Sequence, residues 1–339
     1  MTCYLTGFGA ALPEHEVSNT ELAPQLGVTP EWIEANSGIR ARRWVNAEQS
    51  ASQLGAAAVQ AALQDAGLTG DQLDYLIGGT LSPDYQVPGI APLVQRALPG
   101  CRAIPALDVR VGCAAILYSL QLAQGLLASG AAQHIACFGA EAQSKGLDLQ
   151  PRSAELSMLF GDGAGALLAS RAPRQTGLSL RLIEVLIGTD GNFAKDLCVR
   201  APGTANGAHW QPEDPALLRA SMNGRTVILQ AVRKLGEAAQ TITARNGLAL
   251  DQIDVIVPHQ ANLNLLQTLG KRLAIPPERF VINVDRYGNT SGASAFLALE
   301  QAQQEQRWHA GAYGLVLAFG AGFTWGAALC QAEECGTHL

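Results

Sequence analysis

The chain carries one stretch twice, and that repeat limits its possible folds more than any other feature. Gly67–Thr80 reads GLTGDQLDYLIGGT and Gly247–Gln260 reads GLALDQIDVIVPHQ. Gly, Leu, Asp, Gln and Asp recur in register, and Leu73/Ile253, Leu76/Ile256 and Ile77/Val257 exchange one apolar residue for another. Each copy follows an Ala-rich helical pattern, 51–65 and 226–245, and runs into a short β-rich segment, so both read helix, turn, strand. A second pair, Phe160–Leu168 (FGDGAGALL) and Phe319–Leu329 (FGAGFTWGAAL), sets a Gly-x-Gly turn before a strand of small residues. The pairs lie 180 and 159 residues apart and keep their order, as a duplicated chain does once its loops diverge. Two halves follow, 1–172 and 173–339. Further strands are predicted at 109–111, 133–139 and 313–319, with helices over 113–127 and 290–304. Strands and helices alternating in two similar halves predict an α/β protein with two related sheets.

Composition narrows the class. Only 15% of the 339 residues are charged and 48% are hydrophobic, with 36 glycines and 6% aromatics; small residues let backbones approach closely, which suits stacked layers. No stretch of about 18 uninterrupted apolar residues occurs, so no transmembrane helix is predicted. Met1–Ala10 lacks the basic and apolar regions of a signal peptide. The net charge of −6 and the lack of a long basic run argue against nucleic acid. A soluble cytoplasmic protein is the expectation. The seven cysteines form no CxxC pair, which predicts neither a metal site nor a disulfide framework.

Three residues stand where chemistry is possible. Cys113, in DVRVGCAAILYSL, sits where an apolar strand gives way to a helix. A helix N-terminus favours thiolate, so its pKa is expected to be lowered. On position alone it is equally a buried core cysteine; Cys137, in HIACFGA, reads as core. His259 follows Pro258 at the end of the repeated strand, where its counterpart is Gly79. It is predicted at a loop rather than packed in the sheet, although a lone His there is more often structural. His15, His209, His309 and His338 read as surface, and His134 carries no partner signal. Asn289, in DRYGNTSGAS, is by itself an ordinary turn or cap residue. GDGAG at 161–165 lacks both the dinucleotide spacing and a P-loop Lys. Gly320-Ala321-Gly322 is a tight turn that can also aim an N–H at a reacting oxygen.

Together these segments resemble the β-ketoacyl-acyl carrier protein synthase III family of the thiolase superfamily. The match includes TPEWIEANSGIRARR (29–43), SPDYQVPG (82–89), FGDGAGALL (160–168), SMNGR (221–225), PHQANL (258–263), YGNTSGAS (287–294) and FGAGFTWG (319–326). The resemblance implies a thiolase-like five-layer αβαβα fold with two pseudo-duplicated halves and a homodimer. It implies Cys113 as nucleophile, with His259 and Asn289 beside it and the backbone N–H groups of Cys113 and Ala321 as oxyanion hole. By the same resemblance Trp32, Arg225, Asn262 and Phe319 meet coenzyme A or substrate. Asn264, Lys271 and Arg272 fall on the carrier-protein docking surface. Ile116 lines the acyl pocket, and Tyr85 and Val87 reach toward the neighbouring subunit's pocket. Acyl-CoA and a malonyl thioester are substrates, so no separate cofactor is implied, and neither nucleic acid nor membrane is a partner.

This chain departs from the family pattern in places. The nucleophile segment reads Arg110-Val111-Gly112-Cys113-Ala114-Ala115-Ile116, which suggests a primer other than acetyl and a secondary-metabolism or longer-chain branch. Ala321 replaces the usual glycine, and Asn36 and Asn264 stand where arginines are common. Two other readings share the scaffold. One is an acyltransferase without decarboxylation, with His259 as general base; the other is a partner subunit of a heteromeric synthase.

Overall fold

Residues 2–206 and 215–335 are described by a computed structural model of the chain; His209 and His338 lie outside them. Nine strands form a single mixed sheet. They are β1 (Cys3–Ala11), β2 (Tyr75–Gly79), β3 (Ala106–Asp108), β4 (His134–Glu141), β5 (Gly163–Ser170), β6 (Gly177–Thr189), β7 (Ile253–Pro258), β8 (Tyr313–Gly320) and β9 (Thr324–Cys335). The spatial order is β7-β8-β9-β6-β1-β5-β4-β2-β3. β1 and β6 meet only over Cys3–Leu5 and Leu180–Leu182. Outward from that junction the two sides match: β1, β5, β4, β2 on one, β6, β9, β8, β7 on the other. β3 lies parallel to β2, and an isolated parallel bridge between Ile256 and Phe280 occupies the same place beside β7.

The helices of eight residues or more are α1 (Asn19–Leu26), α2 (Pro30–Ser37), α3 (Ala51–Ala66), α4 (Ile90–Ala97), α5 (Ala115–Ser129), α6 (Gly224–Arg245), α7 (Leu263–Leu273) and α8 (Ser294–Gln304). α3 and α6, the helices of the repeat, each lead through a turn and a short 3-10 segment into β2 and β7. α3 starts on a capping box between Ser50 and Gln53 and stops at Gly67, whose φ of 67° is left-handed. It covers β1, β5 and β4, whereas α6 covers β9, β8 and β6. α5 and α8 lie between the two sides of the sheet: α5 touches β4 and β2 as well as β8 and β9, and α8 touches β5 and β1 as well as β7 and β8. The layers therefore run helix, one side of the sheet, helix, the other side, helix, so the two sheets expected from the sequence are joined into one through β1 and β6. Three hydrophobic clusters fill the spaces between them, and strands covered on both faces read as unbroken apolar runs such as VIVP at 255–258.

Two predicted boundaries move. The strand expected at 109–111 ends at Asp108, whose carboxylate accepts the N–H groups of Ile90 and Ala91 at 2.6 and 2.8 Å and so caps α4. The helices expected from 113 and 290 each begin with a 3-10 turn, Gly112–Ala114 and Ser291–Ala293, before α5 and α8. These two turns are counterparts in the repeat, and they touch. Gly112–Ser129 is apolar and long enough to cross a membrane, yet half of it is buried inside the protein as the middle helix layer.

Layers this close leave no room for side chains where strand backbone meets the central turns. A methyl group on Gly139 would overlap the carbonyl oxygen of Gly292. Gly139→Ala is therefore expected to destabilise the protein by about 1–3 kcal/mol, because a packed interior resists overfilling. A lowered denaturant midpoint with an unchanged m-value is the expected readout.

Candidate active site

The turn of Gly112–Ala114 holds Cys113 just before α5, buried, on the lining of a cavity of about 470 Å³. Gly112 adopts φ 57° to make that turn. β8 ends against it: a Cβ on Gly320 would sit 2.9 Å from the Cys113 nitrogen, so the strand can run this close only as glycine. Thr324 Oγ1 donates to the Val111 or Ala321 carbonyl, at 3.2 and 3.1 Å, and ties the Gly320–Ala321 turn to the nucleophile segment.

His259 and Asn289 open onto the same cavity. His259 is only 6% exposed. The strand ends at Pro258 as expected and His259 stands just beyond it, but buried rather than open to solvent, its backbone N–H bonding the Leu317 carbonyl at 2.7 Å. Its Nδ1 meets the Ser294 hydroxyl in a short hydrogen bond. That hydroxyl also accepts the Gln260 N–H at 3.2 Å; when its own hydrogen goes to Nδ1, the imidazole presents an N–H at Nε2. Burial pushes the His259 pKa down to about 3, so the ring is neutral at ordinary pH. Asn289 is fixed from the other end, its Oδ1 accepting the Ser291 N–H at 2.8 Å. Its amide NH2 is left as the free end. The cavity thus holds the Cys113 thiol beside two neutral donors, an imidazole N–H and a carboxamide N–H.

The thiol itself differs from expectation. Burial pushes the Cys113 pKa up to about 12, the nearby Glu141 carboxylate adds to the rise, and the Ser291 hydroxyl opposes it. The helix-terminus argument holds for a thiol that water can reach; here desolvation of the thiolate outweighs it.

Two family models match the chain, 3-oxoacyl-(acyl-carrier-protein) synthase III over residues 107–191 and its C-terminal region over 243–332. A beta-ketoacyl-(acyl-carrier-protein) synthase III from Oleidesulfovibrio alaskensis is 36% identical over 330 residues, 97% of this chain and 98% of the relative. The chain belongs to the β-ketoacyl-acyl carrier protein synthase III family. The solved synthase III of Thermus thermophilus is 36% identical and superposes with a TM-score of 0.85 over 96% of this chain and 98% of its own. The priming β-ketosynthase of the R1128 polyketide pathway is 29% identical, with a TM-score of 0.85 over 98% and 97% of the two chains. The fold is accordingly the thiolase fold of these synthases, and the protein is a condensing acyltransferase.

Of the remaining residues anticipated for this synthase, Ala321, Phe319 and Asn262 join Cys113, His259 and Asn289 on the cavity. Asn262 caps α7, its Oδ1 accepting the Asn264 and Leu265 N–H groups at 2.8 and 3.3 Å. Asn264 donates to the Ala35 and Asn36 carbonyls at 3.1 and 3.2 Å, binding α7 to α2, and faces a separate surface groove. Lys271 and Arg272 are exposed on the last turn of α7. Trp32 is half-buried against the outer core and Arg225 is exposed; neither lines the cavity. Ile116 is fully buried in the central cluster, not on the cavity wall, because α5 turns it toward the sheet. Tyr85 and Val87 stand on the surface, 59% and 86% exposed.

Sequence reasoning missed much of the wall. Leu156, Leu159, Met222, Val227, Ile228 and Leu235 line it, together with a two-stranded ribbon of Leu197–Val199 and Ala220–Met222. Arg219 pairs with Asp148 at 3.1 Å on the same wall. The apolar residues that recur at helical spacing at the start of α6, Val227, Ile228, Ala231 and Leu235, were the available signal. His134 was missed as well: its Nδ1 meets Ser170 Oγ at 2.9 Å.

Proposed function

We propose that Cys113 receives an acyl group from an acyl thioester and that the same cavity then condenses it with a malonyl thioester. One observation carries this reading: the Cys113 thiol shares a cavity with two neutral hydrogen-bond donors, and Asp148, the carboxylate that lines it among the described residues, is held by Arg152 and Arg219. The thiol forms a thioester as the carrier thiol leaves. The malonyl thioester then loses CO2, and the charge that develops on its carbonyl oxygen is held by His259 Nε2–H and the Asn289 amide. The enolate carbon attacks the acyl-enzyme carbonyl, whose oxygen is held by the Cys113 and Ala321 N–H groups, and the β-ketoacyl product departs. A general-base role for His259, as a simple acyl transfer to an alcohol requires, fits poorly with an imidazole that burial keeps from binding a proton.

The primer is an acyl group longer than acetyl, delivered by coenzyme A or an acyl carrier protein, in a fatty-acid or polyketide pathway. The apolar wall from Leu156 to Leu235 supports a long apolar thioester arm, with Trp32 and Arg225 meeting the nucleotide end of coenzyme A outside the cavity. Lys271 and Arg272 offer an acidic carrier a basic patch on an otherwise acidic protein. The working form is a homodimer in which the exposed Tyr85 and Val87 and the edge strand β3 meet the second copy. There they cap the neighbour's acyl pocket.

Incubation with a panel of acyl-CoAs, followed by peptide mass spectrometry and radiolabelled malonyl-CoA, tests the reading. Acylated Cys113 and released CO2 are expected; transfer of the acyl group to another acceptor without CO2 release would overturn it. Val87→Asp is expected to shift sedimentation toward the monomer and change the preferred chain length.

A further inference from the structure

Arg42 is a fully buried arginine that the condensation chemistry leaves unused. It stands on the short strand Ala41–Arg43, which pairs with Glu16–Ser18. Burial pulls its pKa down to about 10, so it stays charged near neutral pH. Yet its guanidinium pairs with no carboxylate among the described residues: Nη1 donates to the Val17 carbonyl at 3.3 Å and to Asn19 Oδ1 at 2.8 Å, and Nη2 donates to the Met158 carbonyl at 2.9 Å. A buried charge is costly, and an apolar side chain of similar volume would fill the same space at lower cost. What a guanidinium adds is a rigid fork of donors that holds several acceptors at once.

The Met158 carbonyl opens the segment that holds Asn289. The Asn289 N–H donates to the Leu159 carbonyl at 2.7 Å, and the Gly161 N–H donates to the Asn289 carbonyl at 3.1 Å. These two bonds make an isolated parallel bridge between Phe160 and Asn289. The stem of Arg42 lies against both sides of it: a Cβ on Gly161 would sit 3.1 Å from the Arg42 Cβ, and one on Gly288 would sit 3.2 Å from it. Asn289 Oδ1 is already committed to the Ser291 N–H, so the direction of its amide NH2 follows from where this backbone lies. Cys113 and His259 are held by other parts of the chain. The Gly112–Ala114 turn and the end of β8 fix the thiol, and Leu317 and Ser294 fix the imidazole.

We propose that Arg42 is a positioning residue for the decarboxylation step: it braces the 158–161 segment and, through the bridge of Phe160 to Asn289, sets the aim of the Asn289 amide. Arg42 does not line the cavity, so it acts through Asn289 rather than on the substrate. The step it serves is the one in which charge develops on the malonyl carbonyl oxygen, where a donor stabilises that charge only if it is held in place beforehand. Lysine at this position keeps the charge but presents it at a single nitrogen, without the fork that joins Asn19 to Met158. The inference rests on the condensing role proposed for the cavity, but its first test needs no substrate.

Hydrogen exchange followed by mass spectrometry reads the bridge directly. In Arg42→Lys, peptides covering 158–161 and 287–291 are expected to lose protection by about tenfold, while those of β8 and α5 exchange as in wild type. At saturating thioester, Arg42→Lys is expected to acylate Cys113 within about twofold of the wild-type rate and to release CO2 about 10–100-fold more slowly. Adding Arg42→Lys to Asn289→Ala should change CO2 release by less than about twofold, because the residue it acts through is already gone. A group that only holds the fold would slow both steps and would act equally in both backgrounds. If Arg42→Lys does not fold by circular dichroism, Asn19→Ala, which frees Nη1 alone, is read by the same measurements, with the same pattern expected at smaller size. Unchanged protection at 158–161 and 287–291 overturns the proposal. So does an equal loss of acylation and CO2 release, or a full loss that persists in the Asn289→Ala background. A wild-type protein that releases no CO2, with the local loss of protection present in Arg42→Lys, would leave the brace standing and count against the proposed function alone.

Discussion

Cys113→Ala is expected to leave a folded protein that takes no acyl group from any acyl-CoA and loses condensation by roughly 10⁴-fold or more, as enzymes do when a nucleophile is deleted. The fold should survive because the side chain fills little of the core and its sulfur makes a single weak contact, 3.5 Å to Ser291. The cavity offers one internal control. Cys198 also lines it, but its sulfur reaches the Lys195 carbonyl and the Ser221 hydroxyl at 3.7 and 3.5 Å. It sits on the ribbon rather than beside His259 and Asn289. Cys198→Ala is therefore expected to acylate like wild type, and intact mass after exposure to acyl-CoA separates the two thiols. Acylation of Cys113→Ala at the wild-type rate would assign the nucleophile to Cys198.

The repeat made the architecture legible because both copies keep the residues that start and stop each element. Gly67 and Gly247 supply left-handed turns at φ 67° and 70°, and the apolar runs after them have no solvent face. The nucleophile, imidazole and amide were legible as motifs, and the structure brings all three to one cavity. Their protonation was less legible. A sequence marks where a helix begins, but whether water reaches its first turn depends on which layer covers it. For Cys113 that layer is supplied from the other half of the chain, by Ser291 and by the end of β8. Glu141 was invisible for the same reason. Its bond to Gly292 spans 151 residues, and FGAEAQS carries no local pattern to mark it. Ile116 shows the converse: a residue three positions after the nucleophile was expected on the cavity, and the helical turn points it into the sheet.

His259→Ala and Asn289→Ala are expected to separate the two halves of the reaction. Acylation of Cys113 consumes no enolate, so both variants should still form the acyl-enzyme at a rate close to wild type. Release of CO2 from the malonyl thioester should fall by about 10²–10³-fold in each, the usual loss when one donor to a developing oxyanion is removed. The two donors serve one oxygen, so the double variant should lose less than the product of the single losses. The pH dependence follows from the same burial. With its pKa lowered to about 3, His259 stays neutral as pH falls from 8 to 5, and decarboxylation should show no loss near 6.5. A general base would instead lose activity through that range as its ring took up a proton. A falling limb near pH 6.5 that disappears in His259→Ala would reverse the assignment, making the imidazole an acceptor and the protein a simple acyl transferase. The sign for stability runs the same way. The unfolded imidazole protonates near its ordinary value of 6.5 and the folded one only near 3, so the stability tied to keeping this ring neutral is present above pH 6.5 and lost as pH falls toward 3. Urea midpoints for wild type and His259→Ala should therefore converge on acidification, as the buried neutral ring becomes a growing cost to the folded wild type alone.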